Sequence, residues 1–134
     1  MSLGSWDPDA DAAAKTLTAD HQTLQRLISY SRAGQLESLT DQLGSEDSQT
    51  LAGLMHLDKG EWQQAAESLS DEELLHLIRF FAVAENLAGW EAGDKSPVIP
   101  LAKVMRQRGR RLDKKFLQWL RSVNENRYLP YGPL

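Results

Sequence analysis

Cysteine is missing from all 134 residues of the sequence. Its absence excludes disulfides, thiolate nucleophiles and cysteine-based zinc or iron–sulfur sites, and it suits a reducing compartment. Long apolar runs are missing too, since no stretch approaches the roughly 20 apolar residues of a membrane span. Residues 1–14 lack the basic segment and the following apolar segment of a secretory signal. We therefore expect a soluble cytoplasmic protein with no membrane association.

Metal-binding and catalytic motifs are equally scarce. The histidines include no i, i+4 pair, the spacing that puts two metal ligands on one helix face. Glu73 and His76 have the spacing found in di-iron helical bundles, but such a site needs a second pair of this kind, which the sequence lacks. No nucleophile elbow or phosphate-binding glycine loop occurs, and no histidine lies near Ser29, Ser31 or Ser122 in the sequence. We expect no metal, no cofactor and no enzymatic activity, and a site assembled only in space is left open.

Basic residues are scarce in the first 94 positions, where five of them stand against 17 acidic residues and give a net charge of −12. Residues 95–134 reverse this balance, with ten basic residues against two acidic ones and a net charge of +8. The formal net charge of −4 therefore describes an acidic body joined to a basic end.

Apolar residues recur at spacings of three and four along most of the chain, which is the period of an amphipathic helix, and glycine or proline separates the periodic segments. The pattern predicts an all-α fold of six or seven helices, with stacked helical hairpins, a central buried helix and a basic C-terminal helix pair. The predicted helices cover residues 10–32, 35–43, 48–57, 61–69, 70–88, 97–108 and 113–124, the last capped by Asp113. We expect residues 10–134 to form one helical domain, and residues 1–9 to be a disordered lead or in part an expression remnant.

The helix over residues 70–88 has the clearest start. Ser70 and Glu73 match a capping box, in which each side chain accepts a hydrogen bond from the backbone N–H of the other residue. Apolar residues cover nearly every side of this helix and leave one narrow polar stripe, made of Glu72, His76, Arg79 and Asn86. Such a helix is predicted to be central and covered by neighbours on two sides.

Two segments repeat one pattern at an offset of 26 residues, which aligns residues 34–43 with residues 60–69. Each has a glycine, a large apolar residue two positions later and a leucine at its end, so Leu36 and Trp62 are predicted to occupy equivalent buried positions. Stacking the two hairpins would bury both apolar faces. The same spacing is also typical of any antiparallel helix pair.

Residues 51–70 resemble a tetratricopeptide repeat hairpin. The small, turn, aromatic, small and bulky positions of that repeat are held here by Gly53, Gly60, Trp62, Ala65 and Leu69. The resemblance implies helical-hairpin packing and, as in that family, a groove presented to a partner peptide.

The densest chemical signal is the segment 103–115, which holds seven basic residues in 13 positions across a predicted helix–turn–helix junction. Six of them are candidate binding residues: Arg106, Arg108, Arg110, Arg111, Lys114 and Lys115. They either neutralise the phosphates of a nucleic acid, meet an acidic partner protein, or face the acidic body of the same chain. The order of the two helices fits a DNA-reading helix-turn-helix. The second helix, however, is expected to use its apolar residues for packing: Phe116, Leu117, Trp119, Leu120 and Val123.

The tail over residues 126–134 is apolar for a chain end and contains the candidate binding residues Tyr128 and Tyr131. It either docks onto the helices and closes the core or forms a linear recognition motif for another protein. Together these features predict a non-enzymatic protein–protein interaction module. The alternative is a nucleic-acid-associated protein that works through residues 103–115, and the oligomeric state is left open.

Overall fold

The computed structural model describes residues 19–87 and 89–124. In these ranges the chain forms six α-helices, three 3-10 helices and no strand, which confirms the prediction of an all-α fold with six or seven helices. The α-helices are α1 (His21–Arg32), α2 (Leu39–Leu51), α3 (Lys59–Ala66), α4 (Asp71–Ala84), α5 (Val98–Gln107) and α6 (Lys114–Val123). The 3-10 helices are Leu36–Ser38, Ala52–His56 and Gly93–Lys95.

Two sequence predictions fall outside the described ranges: the lead over residues 1–9 and the tail that contains Tyr128 and Tyr131. Both stay predictions. Among the helices that the described ranges contain, none combines the length and the apolar character needed to cross a membrane.

Four of the α-helices begin at a side chain that caps the first turn. Asp20, Asp58 and Asp113 each accept a hydrogen bond of 2.8 Å from the backbone N–H three residues later. At the start of α4 the Ser70 hydroxyl accepts a hydrogen bond from the Glu73 N–H (3.1 Å), and the Glu73 carboxylate accepts one from the Ser70 N–H (2.8 Å). The predicted capping box and the predicted cap at Asp113 are therefore confirmed.

Helix α4 is the centre of the fold, as the sequence predicts. Five of its large apolar residues are completely buried: Leu74, Leu77, Ile78, Phe80 and Phe81. The helix packs most extensively against α1 and also contacts α5 and α6, while α5 packs against α3. Because burial of apolar surface is the dominant favourable term in folding, α4 determines where its neighbours lie.

The polar stripe of α4 contacts both α1 and α6. His76 Nδ1 hydrogen-bonds to the hydroxyl of Ser31 on α1 at 2.8 Å. Just beyond the end of α4, the Asn86 amide donates to the backbone carbonyl of Val123 on α6 at 2.6 Å. Arg79 lies between these two links and contacts aromatic rings of α6. The stripe therefore connects the two helices that flank α4.

The turn from α5 to α6 is set by Gly109, whose φ of 75° lies in the left-handed region that favours glycine. The Arg110 N–H donates to the Met105 carbonyl at 2.8 Å, and the Gly109 N–H donates to the Arg106 carbonyl at 3.0 Å. These bonds close the end of α5 and fix the path of the basic residues that follow.

The two repeated segments differ in structure. Leu36 begins a 3-10 helix and is half-buried, whereas Trp62 lies in α3 and is fully buried. The helix predicted to end before Gly44 does end there, because the Gly44 backbone (φ 74°, ψ 161°) is not helical; α2 therefore consists of two helical segments joined at this kink, and the second ends at Leu51. The prediction that Leu36 and Trp62 are equivalent is therefore wrong, because equal spacing along the sequence leads into different backbone paths.

Candidate binding groove

Two of the six predicted cations are engaged within the protein. The Arg108 guanidinium donates to the backbone carbonyls of Ala66 (3.0 Å) and Leu69 (2.9 Å), at the end of α3. It also lies 3.1 Å from Asp71 Oδ1 at the start of α4, and Arg110 Nε lies 3.0 Å from Asp71 Oδ2. Arg108 therefore joins α5 to α3 and α4, which is a structural role.

Replacing Arg108 with alanine should lower the free energy of unfolding by about 1 to 3 kcal/mol, because the carbonyls of Ala66 and Leu69 lose their donor. The same change at the exposed Arg106, two residues earlier on α5, should alter it by no more than about 0.5 kcal/mol. Urea denaturation followed by circular dichroism measures both. Equal effects of the two substitutions would contradict the structural role of Arg108.

The other four predicted cations are exposed, and their side chains have no hydrogen bond or ion pair within residues 19–87 and 89–124: Arg106, Arg111, Lys114 and Lys115. Lys114 and Lys115 occupy the first turn of α6, where the helix dipole disfavours positive charge. Arg111 and Lys115 line a hollow in the surface, and Arg106 and Lys114 do not. The structure therefore separates these cations into two pairs that differ in what they face.

The hollow beside Arg111 and Lys115, which we call the basic hollow, has a volume of about 650 Å³. It lies between α4, the end of α5 and the start of α6. Its apolar wall consists of Leu75, Met105, Leu112, Phe116 and Trp119. Its charged residues are Asp71, Arg79, Arg110, Arg111, Asp113 and Lys115. Asp71 is paired with two arginines and Asp113 caps α6, so the charge left without a partner is positive.

A second hollow of about 700 Å³, which we call the neutral hollow, lies between α1, α4 and α6. Its apolar residues are Leu36, Val83, Trp119 and Val123, and its charged residues are Glu37 and Arg79. Arg79 and Trp119 line both hollows, so the two hollows adjoin at these side chains, and we call them together the groove across α4. From Leu75 to Val83 the groove follows α4 for about 12 Å, at about 1.5 Å per residue.

Arg79 stands at the middle of the groove. Its guanidinium carbon lies 4.9 Å from the centre of the Phe116 ring and 5.0 Å from the centre of the Trp119 ring, which are cation–π distances. Phe116 and Trp119 are an i, i+3 pair on α6, so one helix face presents both rings. In the part of the chain that the structure describes, the Arg79 side chain has no hydrogen bond and no ion pair.

In the sequence Arg79 belongs to the polar stripe and is not among the candidate binding residues. One signal was present, because Arg79 is the only basic residue between Lys59 and Lys95 and belongs to a helix that is apolar on nearly every side. The aromatic contacts could not be read from the sequence, since they depend on how α6 crosses α4.

The structure also brings together Ser31 and His76, which the sequence keeps far apart. The Ser31 hydroxyl lies 2.8 Å from His76 Nδ1 in the wall of the neutral hollow. Burial lowers the pKa of His76, and the positive charge of Arg32 acts in the same direction against the opposing effect of Glu72. A nucleophilic serine also needs a group that orients the histidine and donors for the oxyanion, and the described residues show neither beside this pair. The contact ties α1 to α4.

No three histidine, aspartate or glutamate side chains of the described ranges lie close enough together to hold a metal ion. The chain matches no protein-family model, no curated protein and no solved structure. The resemblance of residues 51–70 to a tetratricopeptide hairpin therefore stays a prediction, and the groove is the feature from which we infer a function.

Proposed function

We propose that this protein is a non-enzymatic interaction module that binds a segment of a partner protein in the groove across α4. The observation that carries the proposal is the meeting of two hollows, of about 650 and about 700 Å³, at Arg79 and Trp119. Each volume falls within the range of about 300 to 1,000 Å³ that is typical of ligand sites. Two adjoining hollows of this size suit an extended chain segment.

The apolar side chains of α6 support this proposal. The sequence predicts that all of them are buried, yet only Phe116 and Leu120 are; Trp119 and Val123 are half-buried and line the hollows. An accessible apolar surface bordered by charged residues is typical of protein-interaction sites, and tryptophan is enriched among the residues that contribute most to binding.

The dimensions of the groove set the length of the segment. It follows α4 for about 12 Å, and an extended chain advances about 3.3 Å per residue, so about four residues fill it. We therefore expect a short linear motif as the occupant, with its side chains directed into the two hollows.

A peptide selection tests the proposal. A phage library of random peptides of about 12 residues, panned on the wild-type chain, should yield binders that require the groove. Val83→Arg places a long charged side chain on the groove floor. It should reduce the binding affinity of these peptides by at least about tenfold, which is about 1.4 kcal/mol. The matched control Gln118→Arg adds the same charge on an exposed position of α6 outside both hollows. It should change binding by no more than about twofold.

Circular dichroism shows whether Val83→Arg folds, and Leu36→Arg, on the opposite wall of the neutral hollow, is a second blocking variant. Selected peptides that bind both blocked variants as tightly as the wild type would place the site elsewhere and overturn the proposal. A selection that yields no peptide for the folded chain would overturn it too.

The second candidate function is binding to nucleic acid through the four unpaired, exposed cations Arg106, Arg111, Lys114 and Lys115. Such binding would fall steeply with added salt, because each neutralised phosphate releases condensed counterions. Sequence-selective binding tighter than about 10⁻⁸ M would make this the leading function. Weak, non-specific binding of about 10⁻⁴ to 10⁻⁶ M is what a cationic surface alone provides.

A further inference from the structure

We infer that the groove recognises a carboxylate in the partner segment and that Arg79 is the residue that binds it. The inference rests on the proposed function and names the chemistry of the partner, a short acidic segment that also carries an apolar side chain. Three features of the groove lead to it: the free donors of Arg79, the distribution of charge, and the rigidity of the aromatic contacts.

The first feature is that the donors of Arg79 are free. An arginine guanidinium carries five N–H donors in a planar fork, and it is always charged. The rings of Phe116 and Trp119 stabilise the positive charge through their π-electrons but offer no lone pair to the N–H groups. A carboxylate accepts two parallel N–H donors from such a fork, which is among the strongest hydrogen-bonded pairs in proteins.

The second feature is that charge is distributed unevenly along the groove. In the basic hollow, Arg79, Arg111 and Lys115 have no acidic partner among the described residues. The neutral hollow shares Arg79 with the basic hollow, and its other charged residue is the acidic Glu37, beside apolar residues. A nucleic-acid strand carries a phosphate on every nucleotide and would bring one beside Glu37, where like charges repel. A peptide with an acidic residue at one end and an apolar residue at the other matches both hollows, so we favour a peptide.

The third feature is that the aromatic contacts hold Arg79 in place before a ligand arrives. Phe116 is buried and Trp119 is half-buried, so both rings are anchored to the fold. An arginine side chain that is already ordered loses less conformational entropy when it forms its hydrogen bonds. Lysine at this position would keep the charge and lose the two-donor geometry, so the identity of the side chain should affect selectivity.

The experiment uses two peptide libraries panned on the full wild-type chain. One library admits aspartate and glutamate, and the other replaces them with asparagine and glutamine at every position. We expect the first library to give groove binders, defined by their loss on Val83→Arg, that carry an acidic residue near one end. Resynthesis of each peptide with the amide in place of the acid should weaken it by about tenfold, or about 1.4 kcal/mol.

Substitutions in the groove then assign the carboxylate to its partner. Arg79→Gln should reduce the affinity for the acidic peptide to that for its amide counterpart, and Arg79→Lys should restore part of the difference. A merely structural role for Arg79 would weaken both peptides equally. Arg111→Glu and Lys115→Glu should weaken the acidic peptide several-fold. The matched controls Arg106→Glu and Lys114→Glu make the same charge change outside the hollows and should alter binding by no more than about twofold.

The outcomes separate the two levels of inference. Groove-dependent peptides that bind equally well from the acid-free library would overturn the carboxylate inference and leave the interaction module standing. The absence of groove-dependent peptides from both libraries would overturn both. All four charge reversals could weaken binding equally while duplex DNA competes with the peptides. Binding would then depend on the total positive charge of the surface and not on Arg79, which would overturn the inference and favour nucleic acid.

Discussion

Replacing Trp62 with alanine should lower the free energy of unfolding by about 3 to 5 kcal/mol, because the change removes a large side chain from a site with no solvent exposure. The indole ring meets the Phe81 ring edge to face, with ring centres 5.2 Å apart, and so joins α3 to α4. The side chains that line the residual cavity would lose their packing contacts with the indole ring. Urea denaturation followed by circular dichroism measures the effect.

Phenylalanine at position 62 is the informative control. The indole N–H of Trp62 is buried and has no hydrogen-bond acceptor among the described residues, so Trp62→Phe removes an unsatisfied donor together with part of the ring. We expect it to cost less than half as much as Trp62→Ala. If phenylalanine were as destabilising as alanine, the stabilising contribution would belong to the N–H group and not to packing.

Replacing Phe80 with alanine should also cost about 3 to 5 kcal/mol. Phe80 is fully buried and its ring contacts three others: Tyr30 at 6.1 Å, Phe81 at 5.2 Å and Trp90 at 5.9 Å between centres. Tyr30 belongs to α1 and Trp90 to the segment after α4, so this ring joins elements far apart in the sequence. Such pairs add about 0.5 to 1.5 kcal/mol each beyond the buried area.

Phe80→Leu is the matched control, because it keeps most of the volume and removes the aromatic contacts. Its cost should be at least about 1.5 kcal/mol, because three aromatic pairs are lost at about 0.5 kcal/mol or more each, and below that of Phe80→Ala, because most of the volume is kept. A loss below about 1 kcal/mol for Phe80→Ala would contradict the central position of this ring. Both substitutions lie outside the two hollows, so peptide binding by the folded variants should be unchanged.

Tertiary packing gives neighbouring cations different surroundings, because some pair with an acidic residue and others face a hollow or solvent. Arg108 forms a hydrogen bond with Asp71, which lies 37 positions earlier in the chain. Arg110 forms an ion pair with the same carboxylate. Arg111 faces a hollow, and Arg106 faces solvent. In the sequence all four belong to one uniform run of positive charge, so no local pattern distinguishes the structural arginine from the available ones.

The sequence by itself determined the features that depend on neighbours within a few positions. The period of the apolar residues identified most of the helical segments, although residues 36–38 and 52–56 form 3-10 helices within segments predicted to be α-helical. The residue types at the helix starts identified the caps at Ser70 and Asp113. The nearly continuous apolar surface of residues 70–88 required that α4 be central, because such a helix has to be covered by others. The polar stripe that contains His76 and Arg79 was also visible.

Only the tertiary structure decided what that stripe faces. The contact of Ser31 with His76 and the contact of Arg79 with Phe116 and Trp119 join positions that are tens of residues apart, and each depends on how one helix crosses another. Crossing angles follow from the shapes of all the side chains in contact, which no short stretch of sequence contains. The same reason explains the difference between Leu36 and Trp62, each of which follows a glycine by two positions. Trp62 is buried, whereas Leu36 is only half-buried and lines the groove.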